Sequence, residues 1–461
     1  MFGTLGRTNR PVGGKLNRRG LAAIALVTVM VVPVVAAQAP AGAATGGVTV
    51  TNYTDSTISS PERITAGPDG ALWFVNGGSN SIGRVTTSGT VTNFPTPDGA
   101  TGITAGPDGA LWFTDVGHNS IGRLTTSGSV TEFTDPTINM PGEITAGPDG
   151  ALWFTNQGNN SIGRITTSGS VTNFTDPTIA SPASITAGPD GALWFTNFPL
   201  FSGGTGTSSI GRITTDGTVT SYPTINPTSA FPAGITAGPD GALWFTLLGS
   251  GSPSAVGRIT TDGTITYYTG TTGLLIAPGP DGALWFTGLN QNYIGRITTS
   301  GSFTSYTDPT MNGTYGITAG PDGAMWFTNY FGNSIGRITP PRPTLVPYGG
   351  AVTEGTSGTS QLDITVTLSA PSTQTVTVQW NTVFINGASN VQAIPGTDYT
   401  PASGTVTFPP GETTETVPIT VLNHDLGMPY KLLVVSFHNP TNGIMGGYLG
   451  LGFGFLINNT S

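Results

Sequence analysis

The string GPDGALWF, GPDGAMWF in its last copy, occurs seven times in the 461-residue chain. Its tryptophans are Trp73, Trp112, Trp153, Trp194, Trp244, Trp285 and Trp326, spaced by 39, 41, 41, 50, 41 and 41 residues. A period of about 40–50 residues rich in Thr, Ile, Val and aromatics is that of a propeller blade of four short strands. Residues 144–175 show the unit. A first strand ITA is followed by a PDG turn, a second strand ALWFT, a polar loop, a third strand SIGRIT, a TSG turn and a fourth strand VTNF. Each β-branched or aromatic run is bounded by Gly, Pro, Asp or Asn, the pattern of antiparallel hairpins. No stretch beyond the first 43 residues repeats apolar positions with helical period, so the fold class is all-β. Gly (69) and Pro (36) are abundant, but 36% of residues are hydrophobic, enough to bury a core.

The seventh unit stops at Pro340-Pro341 without a fourth strand, and residues 48–55 (VTVTNYTD) copy the fourth-strand sequence of the third unit. The N-terminal strand is therefore expected to complete blade seven and cover an edge that would otherwise aggregate. The expected layout is a signal peptide over 1–43, a seven-bladed propeller over 46–340, a linker over 341–347 and a β-sandwich of about seven strands over 348–461. The leader has basic residues (Arg7, Arg10, Lys15, Arg18, Arg19), an apolar run over 21–35 and an A-x-A-like site at 41–43. It predicts a secreted protein with no membrane span after the leader is removed. Fifteen Lys+Arg against 24 Asp+Glu, a net charge of −9, speak against nucleic acid as partner. The absence of cysteine excludes disulfides and thiolate chemistry.

Features shared by all blades read as packing, so function is sought where blades differ. The seven tryptophans are expected in the core, and the seven Asp of GPDG in turns. The Arg of IGR or VGR (Arg84 through Arg337) is expected to act as a turn-binding or inter-blade fork. A channel-facing anion ring is the other reading. Asp135, Asp176 and Asp308 read as turn-initiating residues. The PDG and TSG turns occupy one face. The loops that vary occupy the other, which is the candidate binding face. There the sequence places Glu62, Arg63, Glu143 and Tyr315 at the first strands. Asp115, His118, Phe198, Phe201, Tyr330 and Phe331 fall in the loops between second and third strands. Aromatic loops beside a few polar groups suit a small, partly apolar ligand or a cell-surface partner.

The repeat ITAGPDGALWFT…NSIGRITTSGxVTxF resembles the virginiamycin B lyase (streptogramin B lyase) family over residues 46–340. The resemblance implies a lyase that opens a cyclic depsipeptide by elimination, with a His removing a proton and Glu-held Mg²⁺ stabilising the developing charge. The family's His stands two places before the first-strand Ile. Those places here are Glu62, Thr101, Gly142, Ala183, Ala233, Leu274 and Tyr315. The family also favours Glu directly after WFT, where this chain has Asn, Asp, Leu or Gly. The expected function is therefore a ligand-binding scaffold without cofactor. The alternative is a Mg²⁺-dependent carbon–oxygen lyase with a relocated site drawn from Glu62, Glu143 and His118. A purely structural cell-surface protein is a third reading.

Residues 348–461 resemble a Calx-beta domain, through VTEG at 352–355, DY at 398–399, SGTVTF at 403–408, PGE at 410–412 and NP at 439–440. The resemblance implies Ca²⁺ ligands at Glu354, Asp398 and Asp425. Met428 and Lys431 replace the family's later acidic pair, which points to a structural module rather than a calcium sensor, since Ca²⁺ takes six to eight oxygens.

Overall fold

A computed structural model describes residues 48–459, except 98, 199–207, 225–230, 249–254, 271, 289–291, 373, 385–390 and 447–449. The described residues contain strands and turns and no helix. Seven four-stranded antiparallel sheets make the blades. Blade three, Pro141–Ala146, Leu152–Asn156, Ser161–Ile165 and Val171–Thr175, is typical. Blade seven is completed by Val50–Thr54, which pairs antiparallel with Ser334–Ile338 from Val50↔Ile338 to Thr54↔Ser334. The ring closes as its sequence predicts.

Why each blade carries the same residues is visible in its packing. All seven tryptophans are fully buried. Trp73 packs with Ile103, Leu111 and Phe113 of blade two, so the indole sits between blades. Its other face stacks on Phe94 at 5.1 Å, and Trp326 stacks likewise on Tyr53 at 5.2 Å. In blade three the Asp149 carboxylate accepts from Trp153 Nε1 at 2.9 Å and from Arg164 Nε at 2.6 Å. The same bridge recurs in every blade. The seven arginines are thus turn-binding forks, not an anion ring. Asp135, Asp176 and Asp308 cap the backbone two residues on, as expected.

These bridges set an acid limit. Burial raises the carboxyls of Asp69, Asp108, Asp149, Asp190, Asp240 and Asp322, but the indole and guanidinium donors outweigh it and hold them below the usual aspartate range. A depressed folded-state pKa contributes stability above the unfolded value and loses it as pH falls through the folded one. The propeller's Tm should therefore fall steeply below about pH 4. Calorimetry from pH 7 to 3 tests this, and an unchanged Tm would sink it.

The C-terminal module is a sandwich of a four-stranded and a five-stranded sheet. Its core includes Leu345, Leu362, Ile364, Trp380, Phe408, Val435 and Phe437. The expected linker is shorter than 341–347. Residues 344–347 fall within the strand Thr344–Tyr348, which pairs with Thr359–Leu368 and buries Leu345. Pro347 masked that strand in the sequence, but the short strand Ile444–Met445 pairs only with Thr344 and Leu345, so Pro347 has a partner strand on one side alone, where proline is tolerated. The nine strands exceed the expected seven because Leu451–Ile457 hides behind alternating glycines and Ile444–Met445 is only two residues long. The sandwich lies against the PDG turns of blades six and seven, with Pro371 beside Gly282 and Gln374 beside Gly323. The Asp281 and Arg296 side chains are correspondingly less exposed than their counterparts. The opposite face of the propeller is left open.

Candidate functional site

The open face is shaped by bulges. In six blades the first strand slips register just before its Ile, between Pro61 and Ile64, Ala100 and Ile103, Pro141 and Ile144, Pro182 and Ile185, Pro232 and Ile235, and Thr314 and Ile317. A bulge leaves residues unpaired and re-aims their side chains. Here the freed residues sit at the mouth of the central channel. A cavity of about 130 Å³ lies there, floored by Ile64, Ile103, Ile185, Ile235, Ile276 and Ile317 and rimmed by Arg63, Glu143 and Ser184. The frame is fixed by hydrogen bonds from one blade's second-strand Thr to the next blade's bulge. Thr114 Oγ1 donates to the Gly142 carbonyl at 2.5 Å, Thr287 to Tyr315 at 2.7 Å and Thr328 to Glu62 at 2.6 Å.

Arg63 of blade one reaches Glu143 of blade three, with Nη2–Oε2 at 2.8 Å. Its guanidinium also lies 5.8 Å from the Tyr315 ring centre. Tyr315 leans on Tyr330 at 5.9 Å, and Tyr330 meets Phe331 edge-on at 5.1 Å. The result is an ion pair beside a three-ring aromatic wall, of which Phe331 is 52% exposed. Burial pushes the Glu143 carboxyl above its usual range even though Arg63 opposes it. Burial also pushes the Tyr315 hydroxyl far upward, and lifts Tyr330, which is raised further by Glu62.

The other sequence candidates fall elsewhere. Asp115 is fully buried in blade two rather than displayed, and its carboxylate is covered by the half-exposed His118, with N–Oδ1 and Nδ1–Oδ2 both 3.0 Å. Phe198 is also buried, packed edge-on against Phe231 at 5.0 Å, so it supports its loop instead of facing a ligand. Phe201 lies outside the described residues. Glu62, Arg63, Glu143, Tyr315, Tyr330 and Phe331 come together, whereas His118 does not line the channel cavity. A site combining His118 with Glu62 and Glu143 is not assembled. The sequence reading missed Ser184. Aligning the residue immediately before each first-strand Ile would have found it, since that column reads Arg63, Gly102, Glu143, Ser184, Gly234, Leu275 and Gly316.

Neither implied metal fits its residues. Mg²⁺ needs several oxygens in octahedral array, but Glu143 is already held by a guanidinium. Among the described residues no group of three His, Asp or Glu is placed to hold a metal ion. In the sandwich, Lys431 Nζ stands 2.8 and 2.9 Å from the two Asp398 oxygens, and His424 Nε2 is 2.8 Å from Oδ1. An ammonium thus occupies the place a calcium would take. Asp425 points instead to the Gly427 amide and to Asn458.

The geometry defines a seven-bladed propeller with a small cavity at its channel mouth, on the face away from its sandwich. The virginiamycin B lyase family profile matches residues 34–202 and 200–343, and the Calx-beta domain profile matches 351–445. A solved streptogramin B lyase is 35% identical, with a TM-score of 0.58, over 63% of this chain and 97% of that one. Virginiamycin B lyase from Staphylococcus aureus is 34% identical (TM-score 0.56) over 64% and 99% of the two chains. A catalytically inactive His-to-Ala form of that enzyme, solved with quinupristin, is 32% identical (TM-score 0.57) over the same shares. No curated protein matches. The chain belongs to the virginiamycin B lyase family and carries a Calx-beta domain behind its propeller.

Proposed function

We propose that this is an exported ligand-binding propeller that holds a small, partly apolar molecule or a cell-surface group at the channel mouth without turning it over. The carrying observation is the Arg63–Glu143 pair, which commits the carboxylate that could serve as base or metal ligand to a guanidinium 2.8 Å away. Tyr315 is too reluctant an acid to supply an anion at neutral pH, and proton abstraction needs an acceptor within hydrogen-bond reach. The aromatic wall supplies contact area, and the ion pair supplies orientation. Export rests on the leader-like first 43 residues. Carbon–oxygen lyase activity is the second reading, favoured by the 35% identity across nearly all of a streptogramin B lyase.

A mass-spectrometric time course of the chain from residue 44 with a streptogramin B antibiotic, with Mg²⁺ and with chelator, separates the two. The expected result is binding with the ring intact in both arms. Opening of the ring without addition of water would overturn the scaffold reading. Phe331→Ala should weaken binding about three- to tenfold, the worth of one aromatic contact, with an unchanged Tm.

A further inference from the structure

Blades one, three and seven share a polar clasp across their outer strands. Asn76 Nδ2 donates to Asn93 Oδ1 and Ser81 Oγ, Asn156 Nδ2 to Asn173 Oδ1 and Ser161 Oγ, and Asn329 Nδ2 to Asn52 Oδ1 and Ser334 Oγ. Blade two replaces both amides by carboxyls. Asp115 takes the register position of Asn76, opposite Ser120, and Glu132 takes that of Asn93, opposite Gly122. Neither carboxylate can donate, so the clasp as built elsewhere cannot form. The consequence is visible in two orphans, since Ser120 Oγ and Glu132 Oε1 are buried with no hydrogen-bond partner, Ser120 being fully buried as a residue. A fully buried carboxyl beside a partly buried one raises the cost of ionising both, because like charges at short range repel.

We propose that Asp115, Glu132 and His118 form a proton-binding site in which one proton held between the two carboxyls replaces the amide clasp of the other blades. With that proton in place Glu132 donates to Asp115, and His118 balances the charge that remains. Burial and the facing Asp115 both raise the Glu132 carboxyl, while His118 opposes them. A raised folded-state pKa gives stability that is complete below the unfolded value and lost as pH rises through the folded one. Among the described residues the charged group facing the Asp115–Glu132 pair is His118. Of the residues leading into blade two, Thr96 and Gly99 bring no charge, and Asp98 lies outside the described residues. Loss of the proton sets like charges against each other and loosens loop 116–119. That loop ties blade two to blade three, through Asn119 Oδ1 accepting from the Met140 amide at 2.8 Å. Met140 directly precedes the strand that carries Glu143, so the site connects solvent pH to the rim of the channel.

The test is hydrogen exchange of the full chain, read by mass spectrometry on peptides covering 113–120, from pH 4.5 to 8. The comparison is an Asp115→Asn/Glu132→Asn double variant, which copies blades one, three and seven. After correction for intrinsic exchange chemistry, protection in the native protein should fall at least tenfold as pH rises, while the double variant stays flat. The single variant Glu132→Gln, which keeps the donor and cannot titrate, should also stay flat. Equal pH dependence in native and variant chains would overturn the proposal. So would suppression of the response by millimolar Ca²⁺ or Mg²⁺, which would mean that the pair holds a cation instead of a proton.

Discussion

Replacing Lys431 by methionine should destabilise the sandwich by about 3–5 kcal/mol, because it strands the buried Asp398 carboxylate. The ammonium reaches both Asp398 oxygens, and both its contacts are below 3 Å. His424 stays in place at 2.8 Å, which sets the expectation at the lower end of that range. For a domain of this size the loss corresponds to a fall in Tm of at least about 10 °C. Lys431→Met combined with Asp398→Asn should recover part of it, since the second change removes the orphaned charge. If the ammonium replaces a calcium, chelator or millimolar Ca²⁺ should leave the Tm of the native sandwich unchanged. A chelator-sensitive native transition would show that the domain needs a metal after all.

How much of this was legible beforehand depends on whether a signal repeats. Seven copies of GPDGALWF fix the blade count, and the orphan strand at 48–55 fixes how the ring closes, because each feature is tested against six others in the same chain. The Arg forks were legible for the same reason. Single-copy features were read less well. Asp115 and Phe198 looked like loop residues for display, yet both are buried. In a propeller, the residue after WFT anchors the neighbouring loop, as Asn76 does through the Ser59 amide, and spacing alone does not reveal which way it turns. Glu132 is hidden from pattern because VTEF alternates just as VTNF does, so the swap of an asparagine for a glutamate leaves the strand signal unchanged. The Arg63–Glu143 contact joins blades one and three across a channel, a distance no local pattern encodes. The Lys431–Asp398 pair was half visible, as a lysine where the resemblance implied an acid.

Deleting residues 46–56 is expected to open the ring. The strand Val50–Thr54 supplies a whole five-residue ladder to blade seven, and Tyr53 covers one face of Trp326 in a near-parallel stack, 10° between planes. Asn52 Oδ1 accepts from Asn329 Nδ2 at 3.0 Å, and the Thr49–Thr339 pair extends the zipper beyond the strand. Without it the third strand of blade seven becomes a bare edge with unpaired amides and carbonyls, and a fully buried tryptophan is uncovered. Losing the half-buried Tyr53 stack costs about 0.5–1.5 kcal/mol beyond its buried area, and the five-residue ladder and the newly exposed Trp326 add the larger share. The truncated chain should therefore lose more than about 10 °C in Tm and elute as aggregates, while the acid limit set by the Asp–Trp–Arg bridges remains. Tyr268→Ala is the control, because it removes the same kind of stack on Trp244 in blade five, at 5.3 Å, without touching the closure. If the truncation costs no more than Tyr268→Ala, the N-terminal strand is an ornament and the blades hold the ring by their own interfaces. If it costs far more, closure by the chain's first strand is what makes seven weakly self-sufficient blades one cooperative unit.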